Sequence, residues 1–359
     1  MTHLQKFQSK LSEKAEAALI TSPQNRFYLS DFEFSDGYVL VFPNRAYLLT
    51  DFRYEEAARA NAAEGIEVLS PTAGVLKKTA ELLCEHHVRT LLVEESAVTR
   101  ADSTRFSAAF EGVELLDGAG EILRDQRTRK TDAELARIAA AQEITDAAFA
   151  HILTYIDPAR TECDVALELE HFLRKNGADG IAFDSIAVSG SMSAIPHGTP
   201  RRCPLEKGFL TMDFGARVGG YCADMTRTVV IGKADEDMKH LYNTVLQAQL
   251  AALAAIRAGE RCRDMDKIAR DIIHGNGYEG RFGHSLGHGV GIDVHEAPSL
   301  SARAAEESVL CPGHVVTVEP GIYITGKYGC RIEDMVAIKE DGSLHNFTKS
   351  PKELIELCL

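Results

Sequence analysis

The stretch GFLTMDFGARVGGYCADMTRTVVIG, residues 208–232, decides the fold. Two β-rich runs flank the Gly219-Gly220 pair, so it reads as a hairpin. A second stretch, GHVVTVEPGIYITGKYGCRIEDMVAI at 313–338, repeats the pattern. In each, a β-rich run ends in an acid two residues before a glycine: Asp213 before Gly215, Glu319 before Gly321. In each, a second acid stands on the return strand, Asp224 and Glu333, at spacings of 11 and 14 residues. Two helical patterns precede each hairpin. Upstream of the first, Thr131 and Glu134 form a capping box that opens a long amphipathic helix. TECDVALELEHFLRKNG (161–177) then reads as a helix ending at Gly177. Upstream of the second lie DEDMKHLYNTVLQAQLAALAAIRAG (235–259) and RDMDKIARDIIHGNG (263–277). A helix-helix-hairpin unit occurring twice implies two halves facing across a pseudo-two-fold axis, with four carboxylates in one cleft.

Outward from this region the pattern changes. Residues 1–125 alternate short apolar runs, AALI (17–20), GYVLVF (37–42), RAYLLT (45–50), IEVL (66–69) and TLLVEE (90–95), with helical patterns such as YEEAARANAA and VLKKTAELLCEHH. That alternation predicts a mixed or parallel sheet flanked by helices. A chain of 359 residues fits about two domains. The expected division is a smaller α/β domain at 1–125 and an α+β catalytic domain at 131–359.

A carboxylate on an apolar strand is costly to bury unless it is paired or bound to metal. Four such acids in matched positions need a cation. In the second hairpin only Arg331 stands close to an acid, two positions before Glu333. Hard carboxylate ligands with an imidazole suit Mn²⁺, Co²⁺, Fe²⁺ or Zn²⁺. Four acids are more than one ion needs, and suit two ions roughly 3.5–4 Å apart. The imidazole is offered by FGHSLGHGVGIDVHE, residues 282–296, where His284, His288 and His295 stand among four glycines. Glycine on both sides of His288 lets the backbone pass close to a metal cluster. An offset of seven changes face in an extended run, so a bend at the glycines is needed if all three histidines are to meet.

Composition excludes several classes. A net charge of −14 leaves no basic footprint for nucleic acid. No apolar run approaches a membrane span, and the polar first twenty residues read as no signal peptide. Eight cysteines without a CxxC pair look like reduced thiols and give no support to zinc-ribbon or thioredoxin readings. A cytoplasmic protein with no membrane and no nucleic-acid partner is expected.

Taken in order, MDFG, CADMTRT, GHSLGHGVGIDVHE, VTVEPGIYI and RIEDM resemble the pita-bread metallopeptidases, the family of methionine aminopeptidase, aminopeptidase P and prolidase. The N-terminal part, including NRFYLSDF at 25–32, is similar to the smaller domain shared by creatinase, prolidase and aminopeptidase P. The resemblance implies a C-terminal pita-bread fold and two divalent metal ions per subunit, with Mn²⁺ expected ahead of Co²⁺, Zn²⁺ or Fe²⁺. It implies Asp213, Asp224, His288, Glu319 and Glu333 as ligands, with Asp224 and Glu333 bridging. Glu319 would also shuttle a proton, and His295 would stabilise the tetrahedral intermediate. His284 would position substrate, His197 would stand beside the site, and Arg331 would steady the bridging carboxylates. Cys222 and Cys330, close before the bridging acids, are alternative soft ligands for zinc.

The expected reaction is hydrolysis of Xaa-Pro bonds by a water activated between two ions. Xaa-Pro aminopeptidase is preferred over a dipeptide-restricted prolidase, because Ser299 in HEAPSL stands where some dipeptidases carry an arginine for the substrate carboxylate. Arg303, four residues on, is the substitute a prolidase would use. Peptides with proline second are the expected substrate and a homodimer the expected assembly. A non-catalytic peptide-binding module of the same fold is the remote alternative.

Overall fold

A computed structural model describes residues 1–358. The chain divides into two compact units, Met1–Arg127 and Thr128–Leu359. The first unit runs α1 (His3–Leu11), β1 (Ala17–Ile20), α2 (Pro23–Ser30), β2 (Gly37–Phe42), β3 (Arg45–Thr50), α3 (Phe52–Asn61), β4 (Ile66–Leu69), α4 (Val75–Glu85), β5 (Thr90–Val93), α5 (Arg100–Ala109), β6 (Glu114–Asp117) and α6 (Ala119–Thr128). Its six strands form one mixed sheet in the order β4-β3-β2-β1-β5-β6. Pairings at β1–β2 and β2–β3 are antiparallel, and the outer ones are parallel. All four residues of β1 are buried, as a fully apolar run in a central strand requires.

The second unit contains α7 (Asp132–Tyr155), α8 (Glu162–Lys175), β7 (Gly180–Ile181), β8 (Ile186–Ser189), β9 (Gly208–Phe214), β10 (Ala216–Val218), β11 (Tyr221–Cys222) and β12 (Met225–Ile231). It continues with α9 (Glu236–Ala255), α10 (Cys262–Gly275), β13 (Gly287–Gly289), β14 (Glu296–Leu300), β15 (Val315–Val318), β16 (Gly321–Ile324), β17 (Tyr328–Arg331), β18 (Asp334–Ile338), β19 (Leu344–Asn346) and β20 (Glu356–Leu357).

The two halves of this unit share a helix pair, a three-stranded ladder and a small hairpin. β8, β9 and β12 form an antiparallel ladder, and so do β13, β15 and β18. Each ladder extends into a small hairpin, β10–β11 in one half and β16–β17 in the other. Isolated bridges fall at matched places too: Thr161 with Pro204 before α8, and Arg261 with Val309 before α10. The acids sit where each ladder gives way to its small hairpin, so the topology aims them at one another.

Helix ends follow the local chemistry. Thr131 and Thr161 each cap their helix with a reciprocal box, to Glu134 and Asp164. α8 stops at Lys175, two residues short of Gly177, which takes φ +105°. Replacing Thr161 with Ala is expected to lower unfolding free energy by about 1 kcal/mol in a denaturant titration. In the second half the core joins Met238, Leu241, Tyr242 and Val245 of α9 and Met265, Ala269 and Ile273 of α10 to Val316, Val318, Ile322 and Val336 of the strands. The spacing of three and four along each helix is the stripe that buries one face. Each large side chain buried there contributes roughly 1.5–3 kcal/mol. Among the described residues no helix is long and apolar enough to cross a membrane.

Candidate active site

Asp213 is the penultimate residue of β9, opposite Thr226 of β12 and Ile186 of β8. Asp224 lies between β11 and β12. Glu319 follows β15, where its N–H bonds the Leu286 carbonyl at 2.8 Å, and Glu333 lies between β17 and β18. All nine residues singled out from the sequence, Asp213, Asp224, His288, Glu319, Glu333, His197, His284, His295 and Arg331, line one cavity of about 430 Å³. Phe183, Asp184, Ile186, Pro196, Ser285 and Val294 complete its wall.

His288 explains the glycines. A Cβ on Gly287 would lie 2.0 Å from the Thr317 carbonyl oxygen, and one on Gly289 would lie 2.2 Å from that of Ala297. The strand carrying His288 is thus wedged between two backbones, and only glycine fits on either side. The ladder shifts register between His288 and Gly289, which supplies the required bend. The edge of the His295 ring then meets His288, with ring centres 4.3 Å apart.

The protonation of His288 follows from its partners. Nδ1 lies 3.1 Å from the Gly289 carbonyl oxygen, which can only accept, so Nδ1 carries the proton. The lone pair of Nε2 faces the acids, 3.6 Å from Asp224 Oδ2 and 3.4 Å from Glu319 Oε1. Burial, with the nearby His295, lowers the ring's pKa to about 4 and keeps it neutral.

The buried carboxylates repel one another. Burial, then Asp213, pushes Glu333 up to about 8. Burial, then Glu333, raises Asp224 and Glu319 well above the ordinary carboxylate range. One oxygen of Asp213 is buried without a hydrogen-bond partner. Ligand atoms of Asp224, His288 and Glu333 all lie within 4.8 Å of one another. A buried excess of oxygen donors, one orphaned oxygen and one aimed imidazole lone pair together fit divalent metal.

Arg331 is the one arginine or lysine among the described residues lining the cavity, and its donors are engaged. Nη2 bonds Asp213 Oδ2 at 2.6 Å, Nη1 bonds the Tyr323 hydroxyl at 2.8 Å, and Nε bonds Thr226 Oγ1 at 3.0 Å. The Thr226 hydroxyl in turn donates to Glu333 Oε2 at 2.7 Å. The direct bond of Arg331 is therefore to Asp213, and it reaches the expected bridging acid Glu333 through a hydroxyl.

Tyr323 was not legible as a site residue. It accepts from Arg331 and donates to His284 Nε2 at 2.9 Å, while His284 Nδ1 donates to the Ser285 carbonyl at 2.8 Å. Burial, then the Arg331 charge, lowers His284 to about 4, so it stays neutral and can accept from Tyr323. Arg270 on α10 bonds the Phe282 and His284 carbonyls and ion-pairs Asp266, which in turn accepts the Leu286 N–H. These contacts fix the segment before β13 that delivers His284. His197 and His295 are exposed at the cavity wall. Cys222 and Cys330 are buried, and burial pushes both thiols up to about 12. Neither lines the cavity, so the geometry gives no support to either as a zinc ligand.

Residues 136–340 match the model of metallopeptidase family M24, and residues 3–128 match the creatinase/prolidase N-terminal domain. A solved Xaa-Pro dipeptidase from Bacillus anthracis is 40% identical, superposes with a TM-score of 0.94, and each chain covers 99% of the other. A solved X-Pro aminopeptidase from Thermotoga maritima is 35% identical with a TM-score of 0.91, covering 98% of this chain and 99% of that one. The Xaa-Pro dipeptidase of Pyrococcus furiosus is 34% identical over 95% of each chain. The chain therefore belongs to metallopeptidase family M24, a metal-dependent peptidase whose pita-bread unit follows a creatinase-type N-terminal domain.

Proposed function

We propose that this protein is an Xaa-Pro aminopeptidase, releasing the first residue from peptides with proline in second position. The observation that carries this reading is the absence of an unengaged arginine or lysine in the described cavity wall. A strict dipeptidase must hold the free carboxylate of its substrate's proline, and a guanidinium is suited to that. Arg331 is occupied by Asp213, Tyr323 and Thr226. Ser299 stands across the ladder from His288. Arg303 is exposed beyond β14 and is not part of the wall. The dipeptidase reading draws support from the names of the Bacillus anthracis and Pyrococcus furiosus relatives.

Asp213, Asp224, His288, Glu319 and Glu333 would hold two divalent ions, with Mn²⁺ proposed for so oxygen-rich a donor set. When bound, the ions polarise the scissile carbonyl and make hydroxide available near neutral pH. Glu319, whose burial raises its proton affinity, takes the proton of the attacking water and passes it to the departing nitrogen. His295, at the rim, donates to the carbonyl oxygen as negative charge develops there. Arg331 keeps Asp213 oriented, and the neutral His284 and exposed His197 flank the substrate. Proline offers no N–H to a peptidase; a site that grips the carbonyl needs none. The free thiols among the described residues suit a reducing cytoplasm, and we expect a homodimer from the family resemblance.

With Mn²⁺ supplied, Ala-Pro-Ala is expected to be cleaved at least as efficiently as Ala-Pro, and an N-acetylated tripeptide not at all. Cleavage of the dipeptide alone would make this a prolidase, with Arg303→Ala then expected to raise KM.

A further inference from the structure

Lys130 is buried where the reaction needs no lysine. Its side chain is 1% exposed, and Nζ lies 3.0 Å from Oε2 of Glu296, whose side chain is 7% exposed. A buried ion pair gains little stability over well-packed apolar groups; in some proteins it is retained because it specifies geometry. Here the geometry is that of the loop between β13 and β14. Glu296 directly follows His295. Its Oε1 accepts the Asp293 N–H at 3.0 Å, and a Cβ on Gly291 would come within 2.6 Å of Oε2. The carboxylate of Glu296, the first residue of β14, thus fills the inside of the loop that precedes it, while Lys130 holds it from outside.

Lys130 is itself anchored. Its N–H bonds the Gly313 carbonyl at 2.8 Å, and the next residue, Thr131, caps the 24-residue α7. The front of the loop is tied separately: the Val290 N–H bonds Val315 at 3.1 Å, and the Gly291 carbonyl accepts from the Cys222 N–H at 2.8 Å. The rear of the loop, where His295 stands, is fastened through Glu296. We propose that Lys130 is a positioning residue for hydrolysis: through Glu296 it sets the direction from which His295 enters the cavity. This rests on the role given above to His295.

The test compares H295A, K130M and K130M/E296M with the unaltered chain, all loaded with Mn²⁺. It measures kcat and KM on an Xaa-Pro tripeptide, bound metal and the melting temperature. H295A is expected to lose kcat. K130M is expected to lose kcat by about 100-fold with KM changed less than about threefold, the scale of one misplaced acid–base or oxyanion group. Its metal content should be unchanged. The double variant removes both charges, so its melting temperature should return while kcat stays low. A double variant that regains activity together with stability would overturn the proposal, since the pair would then only stabilise. Loss of metal from K130M would also overturn it. H295A with undiminished kcat would instead remove the role of His295, a separate failure. Should K130M not fold, the double variant decides.

Discussion

Glu333→Gln is expected to lower kcat for an Xaa-Pro tripeptide by on the order of a thousandfold or more, and to make the metal-free protein more stable at alkaline pH. Both effects have one origin. Glu333 lies buried beside Asp213, and its carboxyl is pushed up to about 8. In the empty site the folded chain therefore holds a proton that the unfolded chain has already released. Stability contributed by that protonated group is present at pH values below the ordinary carboxylate range. It is lost as pH rises from there through about 8. Glutamine keeps the shape, cannot ionise, and escapes that loss. The same substitution takes a negative charge from the proposed ligand set and turns an NH₂ group toward the other acids, so metal binding and hydrolysis are expected to fail together. Elemental analysis, kcat and melting curves at pH 6 and pH 9 check all three parts. A metal-free variant less stable than wild type at pH 9 would contradict the electrostatic picture of the cluster.

The second large effect is on stability. Arg227 and Asp334 form an ion pair at 2.8 Å in which each side chain is 1% exposed. The guanidinium also donates to the carbonyls of Thr226, Glu333, Ser350 and Pro351. It therefore ties the strand after Asp224 to the backbone of Glu333 and to the C-terminal segment. Burial alone would raise the Asp334 carboxyl, but Arg227 and Lys352 outweigh it and hold it below its ordinary value. Arg227→Met leaves that carboxylate with Lys352 and Asn346 and strips four carbonyls of a donor. The expected cost is about 3–5 kcal/mol, a fall in melting temperature of roughly 10 °C for a unit of this size. Lys352→Met, at a partly exposed side chain, should cost at most about 1 kcal/mol. Denaturant unfolding of both variants checks the ranking, and equal losses would count against it.

The central strands of the first unit were legible because they are continuous apolar runs buried on both faces. β6, with the half-exposed sequence ELLD, carries a weak pattern, and the short helices α1, α2, α5 and α6 were not read, although α1 buries Leu4, Phe7 and Leu11 at helical spacing. The doubled hairpin was legible because an acid on a β-rich run is costly and recurred at matched positions. The bend at His288 was legible as a need, but the carbonyls of Thr317 and Ala297 that impose it were not. Tyr323, Thr226, Lys130 and Arg227 were missed for one physical reason. Most of their decisive partners are distant in the chain: Thr226 and Arg227 meet theirs 105–107 positions away and Lys130 finds Glu296 166 away. Local periodicity says nothing about such pairs, which exist only once the strands and loops are brought together.

The most direct test of the account is hydrolysis of an Xaa-Pro tripeptide by protein stripped with a chelator, before and after Mn²⁺ is restored, with bound ions counted. The account predicts no cleavage when stripped, and full activity on reloading with about two ions per chain, lost again in Glu333→Gln. Undiminished cleavage by the stripped protein would contradict it.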